Sequence, residues 1–565
     1  MKKILKIFLI MLMIVPFGLA LYACTTPDPE IPNPKARIVV NNIVYEAIEG
    51  KKEYKCVGYD QEETANELVI PDDIGGVPVT EIITQAFWNQ GNIKSVKIGK
   101  NVDNIEELAF GYSDNIETII VSSQNEMFKS ENNAIITKKQ YMREETTYNQ
   151  TKNLTEKTQV LNPANSLIVG TKGTTTIPNY IVNIASTAFY GNRVITDVTM
   201  PNSLISIGYG AFYNCKKLAE INVDTLSTLK TIGDLAFMNV VTSDVTKLLC
   251  PSSLEYIGSK AFANNTALTN IEFGANVKTI GVEAFIGCSA LSTINDLTSL
   301  KTLGSRAFPK SIGILTLHSG LENLGKQDFA IAYDGLYYVF TSVAKVSILK
   351  TDGQWKEEDL YKLSCKGFAG EDRENVVVPA YIANQKVVNV GEQSGILSFR
   401  TSSKIKNIEF GDGVDFNINF FDNKTLEKVV FGHLVEDTTD YYNGEEWTLK
   451  TLTFGITHLP TKAFSGCLNL TYVYLPSNIE SVFINKSGDA EVVNGYSAFF
   501  NAGAGLSDKK LTIVHEDSEV AWKSKWISGD EVKITEKYSY VTSTISANII
   551  YGVEKNSQAY NEIFA

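Results

Sequence analysis

Side chains that commonly perform catalysis are few in this chain, and their spacing gives them no shared task. The 565 residues include four histidines, none of which lies at a Glu-x-x-His or Cys-x-x-Cys spacing. No Gly-x-Ser-x-Gly elbow or Gly-rich phosphate loop is present. We therefore predict a non-enzyme with no catalytic residue, no metal ligand and no cofactor. The histidines are His318, His433, His458 and His515.

Paired carboxylates can serve as an acid and a base or bind calcium, and two pairs occur in this sequence. Asp72-Asp73 and Glu371-Asp372 both stand in predicted turns that come before strands. Carboxylates exposed to solvent in a loop are the ordinary interpretation, and a calcium ion in one of these loops is the alternative. We expect no catalysis from either pair.

The chain has seven cysteines, and a chemical modification is predicted at one of them, Cys24. Three others follow a recurring phenylalanine by three residues, and Cys250 stands at a strand core position, so all four are expected to be buried thiols. Cys56 and Cys365 share a similar local context but lie about 300 residues apart, and no disulfide framework is predicted. The three that follow a phenylalanine are Cys215, Cys288 and Cys467.

The first residues have the pattern of an export signal. Three lysines precede an apolar run over 7–20, and the run ends at Leu21-Tyr22-Ala23-Cys24. This ending resembles a bacterial lipobox, in which the cysteine is acylated and becomes the mature N-terminus. Residues 1–23 are thus predicted to be a signal peptide and 24–37, with four prolines, an extended stalk. An uncleaved membrane anchor is the alternative.

The formal net charge is −13, and the chain has no block of basic residues. A protein that neutralises phosphates needs clustered Lys and Arg, so nucleic acid is not expected as a partner.

The elements that must carry any functional side chains are repeats. The dipeptide Ala-Phe recurs, mostly at intervals of 23 or 25 residues, and such a period indicates stacked units. An aliphatic residue, usually followed by Gly, stands five residues before each Phe, and an apolar triplet spaced i, i+3, i+5 follows and predicts a short strand. The phenylalanines are Phe87, Phe110, Phe189, Phe212, Phe237, Phe262, Phe285, Phe308, Phe464 and Phe499.

These units resemble the BspA-like bacterial leucine-rich repeat, as the run from Gly258 to Phe273 (GSKAFANNTALTNIEF) illustrates. The resemblance covers about 68–330 and 401–515. It implies a mainly β solenoid of 21–25-residue units, with a parallel sheet on one side and short turns or one-turn helices on the other. It also implies a bacterial surface protein, since many members take part in adhesion or host contact.

Breaks in the period predict the domain organisation. We expect an N-terminal cap at 38–80, a first repeat block at 81–330 with a polar insertion loop at about 123–166, and a cap-like junction at 331–404 that echoes the N-terminus around Cys56 and Cys365. A second block is predicted at 405–515, and a C-terminal cap and tail at 516–565, with Trp522 and Trp526 on one helical face. One continuous solenoid is the alternative.

Because stacking aligns the outward strand positions into columns, binding is expected there and in adjoining loops. We predict ligand contacts at Tyr472 and Tyr474 and in the nearby loop at Tyr441, Tyr442 and Trp447, although half-buried strand formers are the alternative. The predicted function is a monomeric, lipid-anchored, extracytoplasmic surface protein that binds a protein or another extracellular macromolecule and meets the membrane only through its lipid. An envelope scaffold is the rival, and a surface-polymer hydrolase with its site in 331–448 is a remote one.

Overall fold

The computed structural model describes residues 31–564 apart from 62–64, 150–153, 241–244, 296, 350–354, 395, 417–419, 421–422, 443–446, 458, 460–462, 465, 480–501, 504–505, 507–510, 519, 522–526, 529–530 and 533–547. In the strands at 145–149, 154–156, 346–349, 355–357, 438–442, 447–451, 527–528, 531–532 and 548–549 it describes the backbone alone. Among these residues no helix has the length and apolarity to cross a bilayer.

A ladder of very short strands forms the longest sheet, which we call the long ladder. Its later members are two-residue strands paired in parallel, and from Ser206–Ile207 onwards each ends on the aliphatic residue of an aliphatic-Gly pair, as Ile232 does opposite Ile257. The aliphatic residue that recurs five residues before each phenylalanine of these units is therefore the end of a strand. In order, the ladder contains Phe128–Glu131, Ala134–Thr137, Ser166–Val169, Asn183–Ile184, Ser206–Ile207, Thr231–Ile232, Tyr256–Ile257, Thr279–Ile280, Thr302–Leu303 and Asn323–Leu324.

A second set of parallel strands comes from the predicted apolar triplets and is divided along the chain. The first outward sheet contains Glu67–Ile70, Ser95–Ile98 and Thr118–Val121. A small sheet follows with Lys247–Leu249, Asn270–Glu272 and Thr293–Ile294. The second outward sheet contains Asn375–Val378, Asn407–Phe410, Lys428–Val430, Tyr472–Leu475, Thr512–His515 and Asn548–Ile550. Strands thus occur on two sides of the units, whereas the sequence predicted a sheet on one side only.

The described Ala-Phe segments are turns, apart from a bend at Phe308, and none is a helix. Their backbone N–H groups bond to the neighbouring unit: the Phe189 N–H donates to the Ala211 carbonyl at 2.8 Å, and the Phe212 N–H donates to Ala236 at 2.7 Å. A helix needs these groups for its own i to i−4 bonds, so the stacked arrangement replaces it. Among the described residues, helical structure consists of a 3-10 turn at Lys310–Ile312, two helical residues at 520–521 and a helix at Gln558–Phe564.

The core is a column of stacked phenylalanine rings. From Phe189 to Phe308 the successive ring centroids lie 4.8 to 5.4 Å apart, with planes within 10° of parallel. The prediction that these residues fill the core is confirmed, because each ring in this column is buried. Burying one phenylalanine side chain contributes about 1.5–3 kcal/mol, so the column is a large part of the stabilising term.

Two β-meanders share one strand arrangement. In the N-terminal meander, Ile43–Ala47 runs antiparallel to Tyr54–Tyr59, which pairs in parallel with Val77–Ile82. In the middle meander, Leu336–Leu349 runs antiparallel to Trp355–Phe368, which pairs in parallel with Gln385–Val390. The similarity between the two segments that the sequence indicates has a structural counterpart, because a tyrosine pairs with the cysteine in each meander: Tyr45 with Cys56 and Tyr338 with Cys365.

The remaining strands complete these two meanders. The N-terminal one also contains Arg37–Val40, Asp73–Ile74 and Asn104–Ile105. The middle one also contains Ile314–Leu317, Ala330–Tyr333, Tyr381–Ile382 and Asp415–Phe416.

The segment predicted as a polar insertion loop is also made of strands. Phe128–Glu131 pairs antiparallel with Ala134–Thr137 through a turn in which Asn132 and Asn133 both have positive φ. Such a turn joins antiparallel strands tightly, and Asn accepts this conformation more readily than most residues. Three two-stranded pairs lie outside the larger sheets: Tyr141–Asn149 with Leu154–Asn162, Val435–Tyr442 with Trp447–Phe454, and Ile527–Ser528 with Glu531–Val532.

Candidate binding surfaces

The first outward sheet has a row of side chains, two of them aliphatic, that is open to solvent. Strand register places Val69 beside Lys97 and Lys97 beside Ile120, and we call these three residues the open row. Val69 is 44% exposed and Ile120 is 54% exposed. The Lys97 ammonium lies 2.8 Å from the Glu67 carboxylate on the neighbouring strand, so the charge within the row has a partner.

The second outward sheet has a longer row at equivalent strand positions, which we call the covered row. The C-terminal helix, Gln558–Phe564, packs on it, and its Tyr560 joins a buried cluster that includes Val430 and Val514. The row therefore faces protein along much of its length, unlike the open row. Its residues, in register, are Val377, Glu409, Val430, Tyr474, Val514 and Ile550.

Tyr474 does not present its ring to solvent, and the prediction of an exposed ring at this position is wrong. Its exposed fraction is 0%, its ring meets Tyr560 edge-to-face at 5.2 Å, and its hydroxyl lies 3.3 Å from the Glu516 carboxylate. Burial raises the pKa of Tyr474, and the Glu516 charge raises it further. Tyr472 is half-buried with its ring 5.7 Å from Phe564. Both tyrosines thus hold the C-terminal helix on the sheet.

The other three predicted contacts belong to one hairpin. Tyr441 and Tyr442 end its first strand, Trp447 begins its second, and Tyr442 pairs with Trp447. They were expected in a loop, and the structure places them in strands, whereas their side chains lie outside the described residues. The binding role predicted for them stays a prediction.

Known proteins share the repeat. The family model described as BspA type leucine rich repeat region matches residues 63–146, 182–315 and 382–486 in six copies, which is more than half of the chain. The chain belongs to the BspA-type leucine-rich repeat family. The resemblance read from the Ala-Phe units is confirmed, and the protein is a member of a family of bacterial leucine-rich repeat surface proteins.

Among solved structures, a leucine-rich cell surface protein from Faecalibacterium prausnitzii A2-165 is 14% identical, with 88% of this chain and 99% of that one covered and a TM-score of 0.24. A leucine-rich repeat protein from Bacteroides ovatus is 15% identical, with 84% and 94% covered and a TM-score of 0.28. The pneumococcal vaccine antigen PcpA is 15% identical, with 53% and 95% covered and a TM-score of 0.24. No curated protein matches significantly.

The cysteines of the BspA-type units are structural. All six described cysteines are buried and unbonded to one another. The Cys288 thiol donates to the Phe262 carbonyl of the preceding unit at 3.2 Å, and burial raises its pKa to about 12. Asn265 fills the same slot in another unit and donates to the Phe237 carbonyl at 3.0 Å. A thiol kept protonated in this way is no nucleophile, as the sequence analysis predicted. Cys24 lies outside the described residues.

The described histidines and paired acids make contacts within or between units. The His318 ring nitrogen Nε2 lies 2.9 Å from the Leu300 carbonyl, and His515 is buried. The Asp372 carboxylate accepts hydrogen bonds from Ser402 and from the Ser403 backbone, so it joins two successive units. Among the described residues no group of three or more His, Cys, Asp or Glu is placed to hold a metal. His458, Trp522 and Trp526 lie outside them.

An aromatic cluster on the turn side of the BspA-type units was missed by the sequence analysis. Trp88 meets Tyr112 edge-to-face at 4.8 Å, and Tyr190 stacks on Tyr213 at 4.4 Å. The Arg193 guanidinium lies 5.4 Å from the centroid of the Tyr112 ring. The signal was available, because Trp88, Tyr190 and Tyr213 each directly follow a core phenylalanine. These half-buried rings extend the core stack outwards.

Proposed function

We propose that this protein is a bacterial cell-surface lipoprotein whose stacked 21–25-residue units form a solenoid that binds an extracellular macromolecule. Binding takes place on the open row of the first outward sheet and on the loops beside it. Family membership supports a surface protein that binds partners rather than one that performs chemistry. The aromatic hairpin containing Tyr441, Tyr442 and Trp447 is proposed as an additional contact.

The contrast between the two outward sheets carries this proposal. The protein covers one apolar row with its own C-terminal helix and leaves Val69 and Ile120 exposed in the other. Exposed aliphatic residues that lie next to charged residues are typical of an interface with another protein. The Glu67–Lys97 pair supplies charges at this surface without leaving an unpaired charge in the row.

A pair of matched substitutions tests the site. Ile120→Glu places a charge in the open row, and we expect at least a tenfold loss of affinity for the partner. Ile205→Glu is the control, because Ile205 is 48% exposed but precedes a strand of the long ladder instead. Affinity is measured against immobilised matrix proteins and neighbouring cells. Equal effects of the two substitutions, or no binding by the wild-type protein, would contradict the proposal.

Anchoring is proposed to occur through Cys24, on the basis of the basic leader, the apolar run and the cysteine that follows. Cys24→Ala should abolish incorporation of labelled fatty acid and either release the protein to the medium or leave it unprocessed. Unchanged lipid labelling of this variant would refute the anchor. If deletion of the gene weakens the envelope without changing attachment to any partner, the scaffold role replaces the binding role.

A further inference from the structure

A groove lies beside the C-terminal helix, on the part of the second outward sheet that the helix leaves uncovered. Its floor is formed by the first three strands of that sheet and its wall by residues 556–564. Its volume is about 490 Å³, within the range of roughly 300–1,000 Å³ that is usual for small-ligand sites. Val377 opens onto it from the edge strand and is 51% exposed.

Amide side chains dominate the polar lining of this groove. Asn375 and Asn407 come from neighbouring strands, and the Asn407 amide donates to the Asn375 side-chain oxygen at 2.6 Å. Asn556 and Asn561 stand on the wall. Each amide can both donate and accept hydrogen bonds, so the floor and the wall both offer donors and acceptors from uncharged groups.

The two charged groups in the lining already have partners. The Glu409 carboxylate lies 3.0 Å from the Lys555 ammonium, and Lys555 is largely buried. The Lys428 ammonium donates to the Phe564 carbonyl at 2.5 Å. A cationic ligand would have to displace Lys555 from the Glu409 carboxylate before it found a counterion among the described lining residues. A neutral ligand meets no such requirement.

We propose that this groove binds a short neutral saccharide. Sugar hydroxyls both donate and accept hydrogen bonds, which matches the amides, and the C–H faces of a pyranose ring can pack on the apolar surfaces of Val377 and Phe564. A peptide helix fits less well, because Asn375, Asn407 and Glu409 interrupt the apolar floor that it would need. The site is separate from the open row and does not depend on the function proposed for that row.

The experiment is titration calorimetry of the purified protein with cellohexaose, maltohexaose, xylohexaose and mannohexaose. We expect saturable binding of at least one of them. Val377→Trp fills the groove and should weaken this binding at least tenfold, and Asn407→Ala should weaken it about three- to tenfold by removing one amide. Val69→Trp is the matched control, because Val69 has the same place in the edge strand of the first outward sheet and should leave saccharide affinity unchanged.

The proposal is overturned if none of the four saccharides binds, or if a folded Val377→Trp variant binds as the wild-type protein does. It is also overturned if hexagalacturonate, an acidic counterpart, binds more tightly than every neutral saccharide. If Val377→Trp does not fold, as judged by circular dichroism, Asn407→Ala decides the question. Partner binding through the open row should survive Val377→Trp, and saccharide binding should survive Ile120→Glu, so the two proposals fail independently.

Discussion

Gly58 and Gly367 occupy the same place in the N-terminal and middle meanders, two residues after Cys56 and Cys365. Their φ angles are 129° and 127°, and a Cβ at either position would lie 2.3 Å from a backbone carbonyl oxygen, of Ala86 and Leu397 respectively. The sequence shows the shared Cys-x-Gly, but it cannot show the carbonyl that excludes a side chain. That carbonyl comes from a residue about 30 positions further along the chain, in a turn at Ala86 and in a β-bridge at Leu397.

We expect Gly367→Ala to lower the free energy of unfolding by more than about 2 kcal/mol, since the left-handed conformation alone costs roughly 1–2 kcal/mol and the backbone contact adds to it. Gly50→Ala is the control, with a φ of 76° but nothing within 4 Å of the added Cβ, and about 1 kcal/mol is expected there. Chemical denaturation measures both. Equal losses would show that the carbonyl contact is unimportant.

The ion pair between His433 and Glu516 predicts a dependence of stability on pH. Burial alone would lower the pKa of His433, but Glu516 at 2.8 Å and Asp412 at 3.3 Å overcome it and raise the pKa above 6.5. This contribution is therefore complete below pH 6.5 and is lost as pH rises through the raised pKa. Burial would raise the pKa of Glu516, but hydrogen bonds from His433 and Ser477 lower it below 4.5, so its contribution is lost only as pH falls through that lowered value.

His433→Gln should thus reduce the thermal midpoint most between pH 4.5 and 6.5, the interval in which both partners are charged. The difference from the wild-type protein should shrink as pH rises through the raised pKa of His433, above which the imidazole is neutral in both states. Thermal unfolding followed by circular dichroism across this range provides the measurement. A difference that stays constant with pH would mean that the pair stabilises without charge.

At the scale of elements, the C-terminal helix is the part that sequence reasoning handled least well. Tyr560, Ile563 and Phe564 have helical spacing, but a helix of seven residues gives a weak periodic signal. Within the cap and tail at 516–565, the sequence predicted a helical face only at Trp522 and Trp526. A helix this short is not stable alone, so its conformation depends on the sheet beneath it. The sequence left open whether the Ala-Phe segments are turns or one-turn helices, because it does not show that their hydrogen bonds go to other units. Local sequence patterns were enough to predict the strands and the core. The conformations of the C-terminal helix and of the Ala-Phe segments depend on contacts between distant segments, which those patterns do not show.

Tyr560→Ala should detach the helix, because this ring packs edge-to-face on Tyr474 and is buried in the same cluster as Val430 and Val514. We expect faster amide hydrogen exchange over 553–564 and stronger binding of an apolar dye, while exchange in the long ladder stays unchanged. Asn561→Ala is the control, since Asn561 is an exposed residue of the same helix. If the two variants give the same exchange pattern, the ring does not hold the helix in place.

For the whole molecule, the main hydrophobic core is continuous from Ala134 to Ile513 and passes through the middle meander. Tyr338 and Leu363 of that meander belong to the same cluster as Phe308 before it and Phe431 after it. The sequence left open whether two blocks meet at a junction or one array continues. The repeat period could not distinguish these two arrangements, because the middle meander contains no Ala-Phe dipeptide from which a period could be counted.

We therefore expect Tyr338→Ala to weaken the chain on both sides of the middle meander. Truncating a large buried aromatic side chain costs about 3–5 kcal/mol, and Tyr338 is fully buried. Hydrogen exchange should accelerate in the long ladder and in the second outward sheet together. Acceleration restricted to one side would show that the two regions unfold separately despite the shared core.

The position of the C-terminal helix in the chain also has a consequence for folding during synthesis. The contact between Lys428 and Phe564 joins positions 136 residues apart, and the apolar side chains of the covered row are synthesised long before the helix that shields them. A growing chain therefore exposes this apolar surface until residues 553–564 have been added. We expect chains interrupted before residue 553 to aggregate, because the apolar surface of the covered row then stays exposed.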